Sequence, residues 1–202
     1  MKKKVFAAFI VILIAIAFAA LTLFLSNEAY AIPDQFIDGR IQGAEAASAI
    51  STMINDSLKT LSEVATYEHR GDVASALYLI RGEMSKTEER QRQARLLAGA
   101  MEKMAKVIPQ IKPKVAQQIG LEAVSAQVAN VSHLVTYNEY LTNLFDLLNE
   151  RMRGNKAATT EKVQELVDKL NSENNDIQEL NTQFNRSLAQ FDSIFKGKLD
   201  TQ

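Results

Sequence analysis

Two histidines are the first residues to weigh for chemistry in a chain of 202 residues that has no cysteine. A di-metal carboxylate bundle uses Glu-x-x-His on facing helices, because side chains at i and i+3 share a helical face. Here Thr66 stands three residues before His69, and Asn130 three before His133, so both glutamates are missing. Without cysteine there is no thiolate ligand, thiol nucleophile or disulfide. The sequence contains no Gly-rich phosphate loop, no acidic calcium loop and no supported Ser-His-Asp pairing. It therefore points to no catalytic residue, no metal ligand and no cofactor, and the expectation is a protein that is not an enzyme.

The remaining polar candidates are uncharged and fall at helical spacing. Thr87, Gln91, Asn174 and Asn181 interrupt apolar tracks near the midpoints of their segments. In an antiparallel bundle those midpoints share one height, so the four side chains are expected to form a buried polar layer. Such a layer holds water or a small polar ligand in some helical bundles; its more common role is to set helix register. Lys86, Glu88, Glu89, Arg90, Arg92 and Arg95 form the densest charged stretch, with Glu88 and Arg92 at the favourable i, i+4 separation, and read as a solvated helix face. Tyr67, Tyr78, Tyr137 and Tyr140 are expected to pack their rings beside a seam and wet their hydroxyls.

The elements that carry these residues are long helices. Val73, Leu77, Ile80, Met84, Thr87, Gln91, Ala94, Ala98, Met101, Ala105 and Ile108 step by alternating fours and threes, which is a heptad seam. The same spacing joins Ile37, Ile41, Ile54, Leu58 and Leu61 in the segment before it and Leu121, Val124, Val128, Val131, Val135 and Phe145 in the one after. A last track runs Val163, Val167, Leu170, Ile177, Phe184, Leu188, Phe191 and Phe195. Pro33-Asp34, Gly71-Asp72, Pro109 with Pro113, Gly154-Asn155 and Thr159-Thr160 supply starts and stops, and set helices at about 34–70, 72–108, 113–153 and 158–197. Helices of matched length with short connections imply an all-α fold, an elongated antiparallel four-helix bundle in up-down-up-down order, with a dimeric coiled coil of hairpins as the alternative.

Ahead of the bundle, Lys2, Lys3 and Lys4 precede an uncharged apolar run over 5–25. A helix of that length spans ~31 Å, about the hydrocarbon thickness of a bilayer, and the lysines stay cytoplasmic under the positive-inside rule. Residues 1–31 thus read as a signal-anchor or signal peptide, and 32–202 as an extracytoplasmic domain. Ala29 and Ala31 form a small-x-small signal-peptidase motif, while the length of the run favours a retained transmembrane helix. Cleavage near Ala31, giving a secreted or periplasmic domain, is the alternative. Of 23 basic and 24 acidic side chains, this segment holds three lysines and Glu28, leaving 20 and 23. That balance offers no basic excess for nucleic acid. The expected role is a membrane-tethered module that binds other envelope proteins or itself, with a ligand-sensing bundle acting through a separate partner as the second reading. In outline, an N-terminal span followed by long helices with Tyr137-Asn138 in the third, the chain is similar to LemA-type membrane proteins; no function or site residue is carried over from that likeness.

Overall fold

The computed structural model describes residues 30–199, and within them the chain is all-helical. Helix α1 spans Asp34–His69, α2 Val73–Met84, α3 Thr87–Val107, α4 Lys114–Met152 and α5 Thr160–Leu199, with a short 3-10 turn at Ile108–Gln110. The apolar run over 5–25 and Ala29 lie outside the described residues. Among the described residues no helix is long and apolar enough to cross a membrane.

Local chemistry accounts for most of the helix ends. Pro33 enters α1 in an extended conformation, and Asp34 lies in the first turn beside the free amides. Gly71, at φ 73°, takes the left-handed conformation that ends α1, and the Asp72 carboxylate then accepts from the Ser75 amide at 3.1 Å to start α2. Gly154, at φ 84°, closes the end of α4 in the same way. The expected single helix over 72–108 is two helices. Ser85 and Lys86 form a turn between α2 and α3, where the Ser85 hydroxyl donates to the Gly82 carbonyl at 2.7 Å.

Side-chain contacts define how the rods run. Gly39 and Gly43, early in α1, face Met104 and Met101, late in α3. Arg90 of α3 reaches Asn138 of α4, and Asn130 of α4 reaches Asn181 of α5, so successive rods alternate in direction. The last rod returns to the first at one end, where the rings of Phe36 and Phe191 stack at 5.0 Å and Arg40 pairs with Asp192 at 2.7 Å. At the opposite end Arg151 of α4 pairs with Glu68 of α1 at 2.8 Å.

The buried tracks differ from the expected ones on three rods. On α1 the chain buries Phe36, Gly39, Gly43, Ala46, Ile50, Ser57 and Val64, leaving Ile37, Ile41 and Leu58 exposed. On α4 it buries Ala116, Gly120, Ala123, Gln127 and Asn130 before reaching Leu134, Leu141 and Leu144, while Leu121, Val128 and Val135 stay outside. On α1 the small residues face α3, which comes close there. A Cβ on Gly39 would lie 2.5 Å from Met104 Cγ and 3.0 Å from the Ala100 carbonyl oxygen. On α2 and α3 the buried track is Ala76, Ile80, Glu83, Arg90, Ala94, Leu97, Met101 and Met104; Gln91, Ala98 and Ala105 are exposed. On α5, Leu170, Ile177 and Phe191 are buried as the spacing implies.

Candidate functional site

The bundle interior holds two separate polar levels. The upper level is charged. Glu83 ends its helix with a side chain only 1% exposed, and Arg90, one heptad later, is 3% exposed with its guanidinium 3.2 Å from the carboxylate. Ser57 donates to Glu83 at 2.6 Å from α1, Thr60 donates at 3.2 Å, and Lys86 donates at 2.6 Å from the turn. Arg90 in turn donates through Nε to Asn138 Oδ1 at 2.7 Å and through Nη2 to Thr87 at 3.2 Å. Burial pushes the Glu83 carboxyl up, but hydrogen bonds from Lys86 and Ser57, with the positive charges of Lys86 and Arg90, outweigh it and hold the group below the ordinary carboxylate value. Burial likewise lowers Arg90, with Glu83 opposing, and raises the Tyr137 hydroxyl, with Arg90 opposing. The carboxylate and the guanidinium of this cluster hydrogen-bond to one another and to Ser57, Thr60, Lys86, Thr87 and Asn138, which ties α1, α2, α3 and α4 together.

The lower level is uncharged. Asn130, 1% exposed, donates through Nδ2 to Asn181 Oδ1 at 2.7 Å and, more weakly, to Gln127 Oε1 at 3.4 Å. Its Oδ1 is buried without a partner. Leaving a buried polar group unpaired costs ~1–3 kcal/mol. Asn130 lines a cavity of about 250 Å³ together with Gln127, Asn174, Asn181 and Asn55, and with Ile50, Ile54 and Ile177 as apolar walls. Directly beside it, between α1 and α5, lies an apolar groove of about 420 Å³ walled by Ile37, Ile41, Ala44, Phe184 and Leu188.

Of the four residues expected in one layer, three are divided between these levels and one is in neither. Thr87 belongs to the upper one, where its hydroxyl lies 3.4 Å from that of Thr142 on α4. Asn174 and Asn181 line the lower cavity, twelve residues or ~18 Å further down, as measured from Thr142 to Asn130 on α4. Gln91 is on the surface. Arg90, read as part of a solvated face, is instead inside it. A signal for the buried pair exists in the sequence, since Ala76, Ile80, Glu83, Thr87, Arg90, Ala94 and Leu97 also step by fours and threes. The uncharged track beside it looks better on hydropathy alone. Asn130 left no such mark, because its main partner, Asn181, sits on another helix.

His133 does leave the α4 seam, but it meets α5. Its Nδ1 lies 2.8 Å from Glu173 Oε2 and 3.9 Å from Asp176 Oδ2, and one donor atom from each of the three falls within 4.8 Å of the others. This is the one group of its kind among the described residues, with His133 and Glu173 partly buried and Asp176 exposed. At the bundle end near α3, Ala31 of the expected processing motif exchanges two main-chain hydrogen bonds with Lys112, donating at 3.3 Å and accepting at 3.0 Å. The Tyr30 ring meets Phe195 edge-on at 5.9 Å.

No family model, no curated protein and no solved structure matches this chain.

Proposed function

We propose that the chain is a non-enzymatic, membrane-tethered module of the cell envelope, standing on the outer side of the membrane and working by pairing with a second helix along α4. The observation that carries this reading is a stripe on the outer face of α4. Leu121, Ser125, Val128, Ser132 and Val135 lie at alternating four- and three-residue steps, all exposed and none charged. Over ~21 Å this is an apolar and small-residue seam of the kind that coiled-coil partners share. Two copies paired antiparallel about a two-fold axis near Val128 would each present this uncharged stripe to the other. A second copy is therefore the favoured partner, and another envelope protein the alternative.

The tether rests on the lysines and uncharged run of residues 2–25, read with the positive-inside rule. Retention of that segment is supported by Tyr30 and Ala31, whose contacts with Phe195 and Lys112 cleavage after Ala31 would remove. Because the chain lacks cysteine, Val128→Cys introduces a single thiol. Mild oxidation of membranes carrying this variant is expected to give a disulfide-linked dimer, and the same change at exposed Tyr78 is not. A Val128→Cys protein that stays monomeric and has the sedimentation of a single chain would remove the basis for the reading.

A second reading, a ligand-sensing bundle that acts through a separate partner, is favoured by the unpaired amide of Asn130 beside an open cavity.

A further inference from the structure

We infer that the groove between α1 and α5 binds an uncharged amphiphile, an acyl chain with a hydroxyl- or amide-bearing head, its chain between Ile37 and Leu188 and its head against Asn130. The inference rests on the second, ligand-binding reading and gives the ligand its chemistry. It does not depend on pairing along α4.

The site has two compartments that share walls. Ala47, Leu97 and Gln127 line both the apolar groove of about 420 Å³ and the amide-lined cavity of about 250 Å³, so the two compartments adjoin, and the inferred ligand spans them. Both volumes are near the lower part of the ~300–1,000 Å³ range of small-molecule sites, and the combination of an apolar body with a few convergent polar groups is typical of them. The opening has a structural origin. Helices α1 and α5 are drawn together at one end by the Phe36–Phe191 stack and the Arg40–Asp192 pair, and the small side chains of Ala44 and Ala47 leave the space beyond it unfilled.

Charge selects the head. Arg40 is the one ionised side chain on the groove, and both of its terminal nitrogens already donate to Asp192, at 2.7 and 3.0 Å. The amide-lined cavity adjoining it holds amides, a serine and apolar side chains, with no ion. A carboxylate or phosphate head would find no countercharge there and would lose its hydration. A hydroxyl or amide N–H finds the unpaired Oδ1 of Asn130. If the amides of Asn130 and Asn181 are turned together, their mutual hydrogen bond persists and the end of Asn130 left over is a donor, which a hydroxyl also satisfies.

The apolar compartment is the one nearer Phe36 and Phe191, the end at which Tyr30 and Ala31 connect to residues 1–29. With those residues in the bilayer, membrane lipid is the source closest to the groove. The test uses the full chain in phosphatidylcholine nanodiscs with a diazirine-bearing monoacylglycerol, and a diazirine fatty acid as the charged comparison. After illumination, label is expected on residues 37–47 and 184–188. Filling the groove with Ala44→Trp should abolish it. Asn130→Leu should lower it about tenfold, the equivalent of one lost hydrogen bond of ~1.4 kcal/mol, with helicity by circular dichroism unchanged. Label confined to residues 1–29 would mean bilayer contact alone and would overturn the site. Equal labelling of the groove by the fatty acid would overturn the uncharged head. Val128→Asp, which disrupts the α4 stripe, should leave labelling intact, so the two proposals fail separately.

Discussion

Glu83 and Arg90 face each other at 3.2 Å inside the bundle, from the two sides of the turn that separates α2 from α3. The pair bridges the break. Ser57 on α1 and Asn138 on α4 complete its hydrogen bonding, so one ionic contact aligns three rods at one height. Removing Arg90 leaves the buried Glu83 carboxylate with only the half-exposed Lys86 as a charged partner, and removing Glu83 leaves the buried Arg90 with none. Arg90→Met is therefore expected to destabilise the protein by ~3–5 kcal/mol, and the double change Glu83→Leu with Arg90→Met to recover most of that loss. Urea unfolding of the three proteins measures it; equal stability of parent and Arg90→Met would show that the pair carries no weight.

The same carboxylate makes stability depend on pH. Its folded value lies below the ordinary 4.5, so between the two values the unfolded chain binds a proton that the folded chain does not. The contribution of Glu83 is complete above 4.5 and is lost as pH falls through its lower folded value. Stability measured on the acid side should drop less steeply in Glu83→Gln than in the parent. Parallel curves would assign the acid sensitivity to other groups.

Close approach of α1 and α3 makes opposite predictions for two glycines. Gly39→Ala would force a methyl to within 3.0 Å of the Ala100 carbonyl, and overpacking of this kind costs ~1–3 kcal/mol. Gly99 sits inside α3 with nothing within 4 Å of an added Cβ, so Gly99→Ala should stabilise by ~0.5–1 kcal/mol. Melting temperatures shifting in the same direction for both variants would contradict the packing described.

The pairing of Ala31 with Lys112 bears on processing. The mature protein from fractionated cells is expected to have the mass of the uncleaved chain and to sediment with membranes. Ala31→Pro, which removes the amide that donates to Lys112, should lower stability by ~0.5–1.5 kcal/mol. A mature mass lacking residues 1–31 would replace the anchored reading with a released domain.

Which features were legible before the fold was known follows from the range of the forces involved. Gly71 with Asp72, Pro113 and Gly154 place helix ends through the torsions and hydrogen bonds of their own neighbourhood, and alternating fours and threes announce helices without reference to any partner. The turn at Ser85-Lys86 carries no proline or glycine of its own and was not visible in that way.

The amino-acid order by itself determined that this protein is helical, where its rods begin and end, and that an uncharged run precedes them. Tertiary structure alone decided which of two interleaved tracks on a rod faces inward. Gly39 and Gly43 face α3 in place of Ile37 and Ile41, where an added Cβ would meet Met104, the Ala100 carbonyl and Met101, and Ala123 is buried while Leu121 is not. Glu83 and Arg90 entered the core because each found the other, and Asn130 is half-satisfied because Asn181 on α5 takes up its Nδ2 and nothing reaches its Oδ1. Periodicity is a property of one helix, whereas burial is a property of the helices that happen to lie against it.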